Sequence, residues 1–389
     1  MPFDLEDNTF LLAGPVKMHP RVLRAMSVPA MEHRASRFVD QNKQIGEGLK
    51  YVFQTKNDVV LLSGSGTAGM DAAALSLLKK GEKAVTIECG KFGNRFSKLA
   101  ATYGDATTLK SQRWGVPLEM ANIEHTIASV KPKAVFLTHN ESSIGFTWPL
   151  EKIAKIAHDH GALVVADCIT SVGGMDVPVD KWGIDVAIVG SQKCLGAPSG
   201  LVALSISPAA LEKMHKDAGY YLNLPRYVEK FREGDTPFTP AIPLHLALHE
   251  ALKIVREETL EKRIARVRAQ AEAVRAGAEA MGLQLHVQPG YRSDTVTAID
   301  YPKGIDDAKF RKALKDNYGV VVAGGQDEAK GVIFRVGTMG TVSWPEIAGA
   351  FVAIEKTLAA QGASVKKGAW VEAFSAQMGC KRRDRPNRS

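Results

Sequence analysis

Cysteine is scarce in this 389-residue sequence: the four cysteines lie far apart and none forms a C-x-x-C pair. That spacing argues against a disulfide framework or a structural zinc site, so we expect reduced thiols and no metal. No uninterrupted apolar run is long enough to cross a bilayer, and the opening MPFDLEDNTF has early acids instead of a basic stretch followed by an apolar one. We therefore expect no membrane span, no secretory signal and a cytoplasmic location.

Positive charge is in modest excess, with 50 Lys or Arg against 42 acids and a net charge of +8. The segment 366–389 carries seven Lys or Arg and two acids, so it supplies five of those eight charges. No aromatic residue is interleaved in the final CKRRDRPNRS, as it would be in a nucleic-acid site. The sequence therefore predicts a solvated, flexible basic tail and no nucleic-acid partner.

Short β-rich segments alternate with helical ones through the middle of the sequence. The β-rich segments are apolar on both faces and include DVVLLSG, KAVTIECG, KAVFLTHN, ALVVADC and VAIVGSQK. Helical patterns such as LEKIAKIAHDHG separate them. This alternation predicts an α/β fold with a mostly parallel sheet sandwiched by helices.

The pattern changes after GDTPFTPAIP, where a long charged helical stretch covers residues 245–282 with a predicted break near 257–260. A shorter mixture of helix and strand follows it. We therefore expect a large domain over residues 1–245, a smaller C-terminal α+β domain over 246–365, and the basic tail over 366–389.

A glycine-rich loop, SGSGTAGMD, places Gly64, Gly66 and Gly69 after a predicted strand and at the start of a predicted helix. Glu88 ends the next predicted strand, which completes a pattern typical of NAD(P)-dependent oxidoreductases. Small residues at a helix N-terminus, however, present N–H groups to any phosphate. The loop therefore predicts a phosphate site, while an oxidoreductase and an ordinary strand-to-helix turn both remain open.

A carboxylate and an amine follow two further predicted strands: LVVAD ends at Asp167, and Lys193 comes just after VAIVG. Because the carboxyl ends of parallel strands share one edge of a sheet, both should lie near the glycine loop. Pyridoxal 5′-phosphate needs an amine for a Schiff base, a carboxylate that keeps its ring nitrogen protonated, and an anion site. We therefore predict this cofactor, with Lys193 and Asp167 catalytic and Ser65, Gly66 and Thr67 at the phosphate.

Eight segments together resemble the class V aminotransferases of pyridoxal-phosphate fold type I, in particular the alanine–glyoxylate and serine–pyruvate transaminase group. They cover nearly the whole sequence except the basic tail: GPVKMHPRVLRAM, YVFQT, SGSGTAGMDAA, FGNRF, LTHNESSIGF, VVADCITSVGGMDVPVDKWGIDVAIVGSQKCLGAPSG, TPFTPAIP and FRVGTMG. The resemblance implies a homodimer whose cofactor site is completed by the neighbouring subunit.

The resemblance also implies roles for individual side chains. Phe92 would stack on the cofactor ring; many members have tryptophan or histidine there, and phenylalanine keeps the apolar face without an N–H group. The other implied contacts are Ser142 near the 3-hydroxyl, Ile169 on the opposite ring face, Gln192 at the phosphate, Thr239 at the neighbouring subunit's phosphate, and Arg335 at the substrate carboxylate.

The activity that the resemblance implies is transamination between a small amino acid (alanine, serine or aspartate) and glyoxylate or pyruvate. The NAD(P)-dependent oxidoreductase and a non-catalytic scaffold with the same fold stay open as alternatives. Cysteine desulfuration is disfavoured because the predicted small domain has no cysteine before Cys380. His33 and Arg34 are further candidates for the pocket, and a structural role suits them equally well.

Overall fold

The computed structural model describes residues 8–29 and 31–378, which form two domains, each around its own sheet. The elements of the first part are β1 (Thr9–Leu11), α1 (Pro20–Ala25), α2 (Ser36–Phe53), β2 (Asp58–Ser63), α3 (Gly66–Leu77), β3 (Lys83–Glu88), α4 (Lys91–Tyr103), β4 (Asp105–Lys110), α5 (Met120–Val130), β5 (Ala134–Thr138), β6 (Asn140–Glu141), β7 (Phe146–Thr147), α6 (Leu150–Asp159), β8 (Leu163–Asp167), α7 (Val179–Trp182), β9 (Val186–Gly190), β10 (Leu201–Ile206), α8 (Pro208–Lys213) and α9 (Leu224–Arg232). The second part contains α10 (Ile242–Glu258), α11 (Leu260–Ala280), β11 (Val296–Asp300), α12 (Asp307–Tyr318), β12 (Val320–Gly324), β13 (Ile333–Gly337), α13 (Trp344–Ala360) and α14 (Trp370–Gln377). None of the described helices is long and apolar enough to cross a membrane.

The large domain is built on a seven-stranded sheet in the order β2-β10-β9-β8-β5-β3-β4. Its strands are parallel from β9 to β4, whereas β10 runs antiparallel to both of its neighbours. Every residue of β5, β8, β9 and β10 is buried, so helices must cover both faces. One set, α3 and α4, packs together on the sheet, and α5 and α6 form another. The predicted α/β sandwich is confirmed.

All strands of the large sheet except β10 have their carboxyl ends at the same edge. The parallel strands β5, β8 and β9 end there at Thr138, Asp167 and Gly190. Because β10 is antiparallel to both β2 and β9, strand β2 runs in the same direction as β9. Its carboxyl end therefore lies at this edge as well, where Ser63 pairs with Leu201. The loops that leave these strands therefore meet in space, although they are far apart in sequence.

The small domain has a four-stranded sheet in the order β1-β12-β13-β11. Its core joins apolar residues of α11, α12, α13 and α14 to the sheet, with aromatic rings at the centre. Phe310 and Phe334 pack with centroids 5.0 Å apart, and Phe351 stacks on Trp370 at 5.4 Å. These elements follow the strands and helices that the sequence predicted beyond residue 282.

The long charged helix is interrupted at Thr259, which has a φ of +68° between α10 and α11. This is within the range of residues 257–260 predicted for the break. The carboxylate of Glu258, at the end of α10, accepts from Arg263 Nη1 at 3.0 Å and from Arg266 Nε at 2.6 Å. The buried Arg263 also donates to the carbonyl oxygen of Cys194 at 2.6 Å, so the joint between the two helices contacts the turn that contains Lys193.

Two segments differ from the predicted domain organisation. The N-terminal segment was expected in the large domain, but β1 pairs with β12 in the small sheet because its backbone extends that sheet in parallel. Residues from 366 were expected to be a flexible tail, but α14 packs on the small domain and buries Trp370 and Phe374. The i,i+4 spacing of these two rings puts them on one helix face. The final basic run, from residue 379, lies outside the described residues.

Candidate active site

A cavity of about 160 Å³ opens where β5, β8 and β9 end. Nine residues predicted from the sequence line it: Ser65, Gly66, Thr67, Phe92, Ser142, Asp167, Ile169, Gln192 and Lys193. Five others line it without having been predicted: Met70, Arg95, Thr138, Asn140 and Thr170. A wider groove of about 560 Å³ between α2, α9 and α10 contains none of the predicted residues. We therefore assign the site by the chemistry of its lining and not by volume.

The glycine loop carries the chain from β2 into α3. Ser65 is the N-cap and Gly66 the first helical residue, so the N–H groups of Gly66 and Thr67 have no partner within the helix, whereas that of Ala68 donates to the carbonyl oxygen of Ser65 at 2.8 Å. A Cβ on Gly66 would lie 2.4 Å from Ile169 Cδ1, so glycine is needed for Ile169 to close against the loop. Unpaired N–H groups at the positive end of a helix suit an anion.

Lys193 lies in the turn after β9, with its side chain mostly enclosed. Its Nζ donates a hydrogen bond to the carbonyl oxygen of Ala13 at 2.6 Å. Burial strips the ammonium of its hydration and lowers the pKa of Lys193 from 10.5 to about 8. The neutral amine, which is the nucleophile, is therefore accessible near neutral pH.

Asp167 ends β8 and faces the same cavity, with 3% of its surface exposed. Its Oδ1 accepts from the N–H of Ile169 at 2.9 Å, and its Oδ2 accepts from the hydroxyl of Thr138 at 3.1 Å. Burial outweighs these two bonds and raises the pKa of Asp167 from 3.8 to about 6. Keeping Asp167 charged in the folded protein therefore costs free energy. A cationic partner in the cavity would offset that cost.

Substituting Asp167 with Asn should make the cofactor-free protein more stable at pH 7.5. A carboxyl group whose pKa is raised by folding costs stability as the pH rises through about 4 to 6, and an amide of the same shape has no such cost. We expect a higher melting temperature for the variant at pH 7.5, from an effect on the order of 2 kcal/mol, and a smaller difference at pH 5. Asp217→Asn, at a carboxylate paired with Lys79 on the surface, is the control and should give no gain. A pH-independent loss of stability in Asp167→Asn would contradict the argument.

Glu141 accepts hydrogen bonds from the backbone N–H groups at the start of α4. Its Oε2 accepts from the N–H groups of Phe92 and Gly93 at 2.9 and 2.8 Å, and its Oε1 accepts from the N–H and the hydroxyl of Ser143. A carboxylate at a helix N-terminus is stabilised by the helix dipole. Glu141 is fully buried and holds the backbone of Phe92 at the cavity. Sequence reasoning missed this role, although the quoted motif LTHNESSIGF contains the residue.

Arg335 lies in β13 and connects the two domains. Its Nη1 donates to the carbonyl oxygen of Ser142 at 2.6 Å, while Nε and Nη2 donate to that of Gly324 at 3.0 and 2.7 Å. A guanidinium has five N–H groups, so one on each Nη is left for a further acceptor. Burial lowers the pKa of Arg335 to about 10, which leaves it charged at neutral pH. Both of its partners are carbonyl oxygens and not carboxylates.

A family model described as aminotransferase class-V matches residues 20–344, a range that includes every residue of the cavity and Arg335. The chain belongs to the class-V aminotransferase family. The family assignment confirms the resemblance found in the sequence, including the aminotransferase activity. It also implies pyridoxal 5′-phosphate as the cofactor.

Relatives in this family match over nearly their whole length. An uncharacterized aminotransferase of Methanocaldococcus jannaschii is 40% identical over 94% of this chain and 97% of its own. A serine–glyoxylate aminotransferase of Methylorubrum extorquens is 32% identical over 95% and 96%. A Synechococcus protein described as the small subunit of a soluble hydrogenase is 36% identical over 95% and 98%. The crystal structure of ureidoglycine–glyoxylate aminotransferase from Bacillus subtilis has a TM-score of 0.90 at 30% identity, covering 95% of this chain and 98% of that one.

The class-V fold places the glycine loop differently from a dinucleotide-binding fold. A dinucleotide fingerprint requires the strands on both sides of the first helix to belong to one βαβ unit, but β10, β9, β8 and β5 lie between β2 and β3. Glu88, at the end of β3, accepts from Asn94 Nδ2 at 3.1 Å and does not line the cavity. The geometry therefore does not support the oxidoreductase alternative.

Four candidate residues named from the sequence do not line the cavity: Arg335, whose contacts are given above, Thr239, His33 and Arg34. Thr239 is exposed, in the loop before α10. Arg34 is also exposed and lies 3.6 Å from Asp235 in an ion pair, and the half-buried His33 precedes it. For His33 and Arg34 the structural alternative fits this single chain better. The role predicted for Thr239 involves a neighbouring subunit and stays a prediction.

Proposed function

We propose that this class-V aminotransferase binds pyridoxal 5′-phosphate at the 160 Å³ cavity and transfers an amino group from a small amino acid to glyoxylate or pyruvate. The observation that carries the proposal is the convergence of three groups on one cavity. Lys193 supplies a mostly enclosed amine with a lowered pKa, Asp167 a buried carboxylate, and Gly66 the open N-terminus of α3.

The residues present fit the cofactor. The Oε1 atom of Gln192 is buried without a hydrogen-bond partner, and amide oxygen and nitrogen are interchangeable by a flip, so this group is able to donate to a phosphate. Ser65, Gly66 and Thr67 would hold the phosphate together with Gln192. Phe92 and Ile169 would enclose the ring between them, with Ser142 near the 3-hydroxyl.

When bound, pyridoxal 5′-phosphate supplies an aldehyde for covalent attachment to an amine and a ring that accepts electrons from a carbon acid. Asp167 would hold a proton at the ring nitrogen, which also relieves the cost of burying its own charge. Lys193, as a free amine, would take the proton from the substrate's α-carbon, and its lowered pKa suits a general base near neutral pH. Arg335 would orient the substrate through its α-carboxylate.

The contact proposed for Arg335 supports an α-amino acid as the substrate. Arg335 provides one guanidinium, with a free N–H on each Nη, for one carboxylate. The names of the Methylorubrum and Bacillus relatives both include glyoxylate as the acceptor. Alanine, serine and aspartate are the donors we propose, with glyoxylate or pyruvate as the acceptor.

Borohydride reduction of the purified protein tests the proposal. We expect a visible absorption band that reduction abolishes, with the cofactor mass on the peptide that contains Lys193. A panel of amino donors against glyoxylate and pyruvate then identifies the substrates. A colourless protein that takes up no pyridoxal 5′-phosphate would overturn the proposal.

Gly14 gives a sharper test of the position of Lys193. It has a φ of +96°, and a Cβ there would lie 2.3 to 2.7 Å from Cδ, Nζ and Cε of Lys193. Gly14→Ala should weaken binding of pyridoxal 5′-phosphate by about tenfold or more, because overpacking of this kind costs about 1 to 3 kcal/mol. The measurement is a titration of cofactor-free protein followed by absorbance.

The matched control for Gly14→Ala is Gly290→Ala. Gly290 has a φ of +89°, so it carries the same kind of backbone strain, but a Cβ there would meet nothing within 4 Å. We expect Gly290→Ala to bind the cofactor as the wild type does. Equal losses in the two variants would mean that backbone strain, and not contact with Lys193, is responsible.

We also propose a homodimer in which Thr239 reaches the phosphate held by the neighbouring subunit. Aromatic rings lie close to this loop: Tyr221, in the segment before α9, stacks on Phe238 at 5.0 Å, and its neighbour Tyr220 is 72% exposed. Aromatic side chains are enriched at protein interfaces. Sedimentation of the full chain measures the oligomeric state, and a monomer at micromolar concentration would contradict the proposal.

A further inference from the structure

The negative charge of a bound cofactor phosphate would need a cationic partner at the phosphate end of the cavity. Of the fourteen residues that line the cavity, Arg95, Asp167 and Lys193 are charged. A phosphate monoester carries about −1.5 to −2 charges at neutral pH. In the proposed function Lys193 is committed to the aldehyde, and Asp167 is itself negative. Among the lining residues, Arg95 therefore remains as the cation for the phosphate.

The guanidinium of Arg95 contacts two residues that the sequence assigned to the cofactor. Its Nη1 donates to the hydroxyl oxygen of Thr67 at 2.9 Å, and its Cζ lies 5.0 Å from the centre of the Phe92 ring. Phe92 and Arg95 are three residues apart on α4, which puts them on one helix face. Neither partner is a carboxylate, so these two contacts do not neutralise the positive charge of Arg95.

The hydrogen bond to Thr67 sets the direction of the threonine hydroxyl. Arginine has only donors, so the Thr67 oxygen must be the acceptor, and its own hydrogen must point elsewhere. A hydroxyl that accepts from a cation is polarised and becomes a better donor. At the first turn of α3, that hydrogen adds to the free N–H groups as a donor for an anion.

We propose that Arg95 is a positioning residue for the cofactor phosphate: it holds the Thr67 hydroxyl as a donor and supplies the positive charge that keeps the phosphate dianionic. This inference rests on the proposed function, since it concerns the same cavity. It adds a residue to which neither the sequence motifs nor the family resemblance assigned a role here.

The test compares two ligands that differ only by the phosphate. Cofactor-free wild type, Arg95→Gln and Arg95→Lys are titrated with pyridoxal 5′-phosphate and with pyridoxal, and dissociation constants are measured by absorbance. We expect Arg95→Gln to weaken pyridoxal 5′-phosphate binding by about 10- to 100-fold, as for the loss of one charged hydrogen bond, with pyridoxal binding unchanged. Arg95→Lys keeps the positive charge but not the planar set of guanidinium N–H donors, so its dissociation constant for pyridoxal 5′-phosphate should lie between those of the wild type and Arg95→Gln. Lys98→Gln, which removes an exposed cation from the same helix, should match the wild type.

A second measurement separates charge from packing. The ³¹P NMR shift of the bound cofactor should be independent of pH from 5 to 8 in the wild type and should titrate in Arg95→Gln. Thr67→Val should weaken binding of the phosphorylated ligand as well. Combined with Arg95→Gln it should add less than the sum of the two losses, because both act through one hydrogen bond.

The outcomes separate this inference from the proposed function. Equal losses for pyridoxal and its phosphate in Arg95→Gln, or additive losses with Thr67→Val, would show that Arg95 only supports the Phe92 ring, and the inference would be wrong. If the wild type binds pyridoxal 5′-phosphate and Arg95→Gln binds it equally well, the inference alone fails. If the wild type binds neither ligand, the proposed function fails first.

Discussion

Lys193→Ala is expected to lower kcat by about 10⁴-fold or more for any donor and acceptor pair. The substitution removes both the amine that would hold the cofactor and the base that would move the α-proton, and general acid–base catalysis alone contributes about 10²- to 10⁴-fold. Lys193 is also the one amine among the residues that line the cavity, so no neighbour replaces it. The measurement is steady-state transamination with cofactor in excess, together with the cofactor content of the protein.

Two controls establish why activity is lost. Lys193→Arg keeps a positive charge but has no accessible neutral form, so it should be as inactive as Lys193→Ala. Methylamine added to Lys193→Ala should restore part of the rate in proportion to the concentration of its neutral form, because it replaces the missing base. Full turnover in Lys193→Ala without added amine would show that another group carries the reaction.

Arg335→Gln is expected to lower kcat/KM for α-amino acids by about 10²- to 10³-fold. Charged hydrogen bonds are worth about 1.5 to 3 kcal/mol each, and the free N–H on each Nη would make two of them to a carboxylate. Arg335→Lys should lower kcat/KM by a smaller factor, since it keeps the positive charge but not the paired N–H donors of the guanidinium. Rates measured with alanine, serine and aspartate give the comparison.

Arg335 also joins the domains, so its substitution needs a control for structure. Arg268→Gln removes another arginine of the second part of the chain, one whose partner is Asp294 on the surface, and should leave kcat/KM unchanged. Cofactor affinity and the rate with an amine that lacks a carboxylate should also be unchanged in Arg335→Gln. A proportional loss with that amine would mean that Arg335 only holds Ser142 and Gly324 in place.

The fold of the large domain was predictable because its strands are apolar on both faces. Runs such as LVVAD and VAIVG have few alternatives to a buried parallel strand, and the break at Thr259 was also located. Strand β4, DATTLK, has no buried residue and lies at the sheet edge, where pairing leaves little trace in the sequence. The assignment of β1 to the small sheet depends on backbone pairing across more than 300 residues, which no local pattern encodes.

The convergence of candidate residues on one cavity was predictable where a residue type has one characteristic chemistry. An amine and a carboxylate at strand ends led to Lys193 and Asp167, and the glycine loop to Gly66. Glu141 and Arg95 were not named from the sequence because their contacts exist only in the folded chain. Glu141 accepts from the N-terminus of α4, and Arg95 on α4 donates to Thr67 on α3 and lies over the Phe92 ring. Gly14 was missed for the same reason, since only the folded chain shows Lys193 against it.

The path of the N-terminal segment has a mechanical consequence. Strand β1 belongs to the small sheet, yet two residues after it the carbonyl oxygen of Ala13 holds Lys193 Nζ, and the N–H of Val16 donates to the carbonyl oxygen of Gln192 at 3.1 Å. Any rotation of the small domain thus pulls directly on the backbone against which the lysine rests. The absorption maximum of a chromophore attached to that lysine would then shift when the small domain rotates relative to the large one.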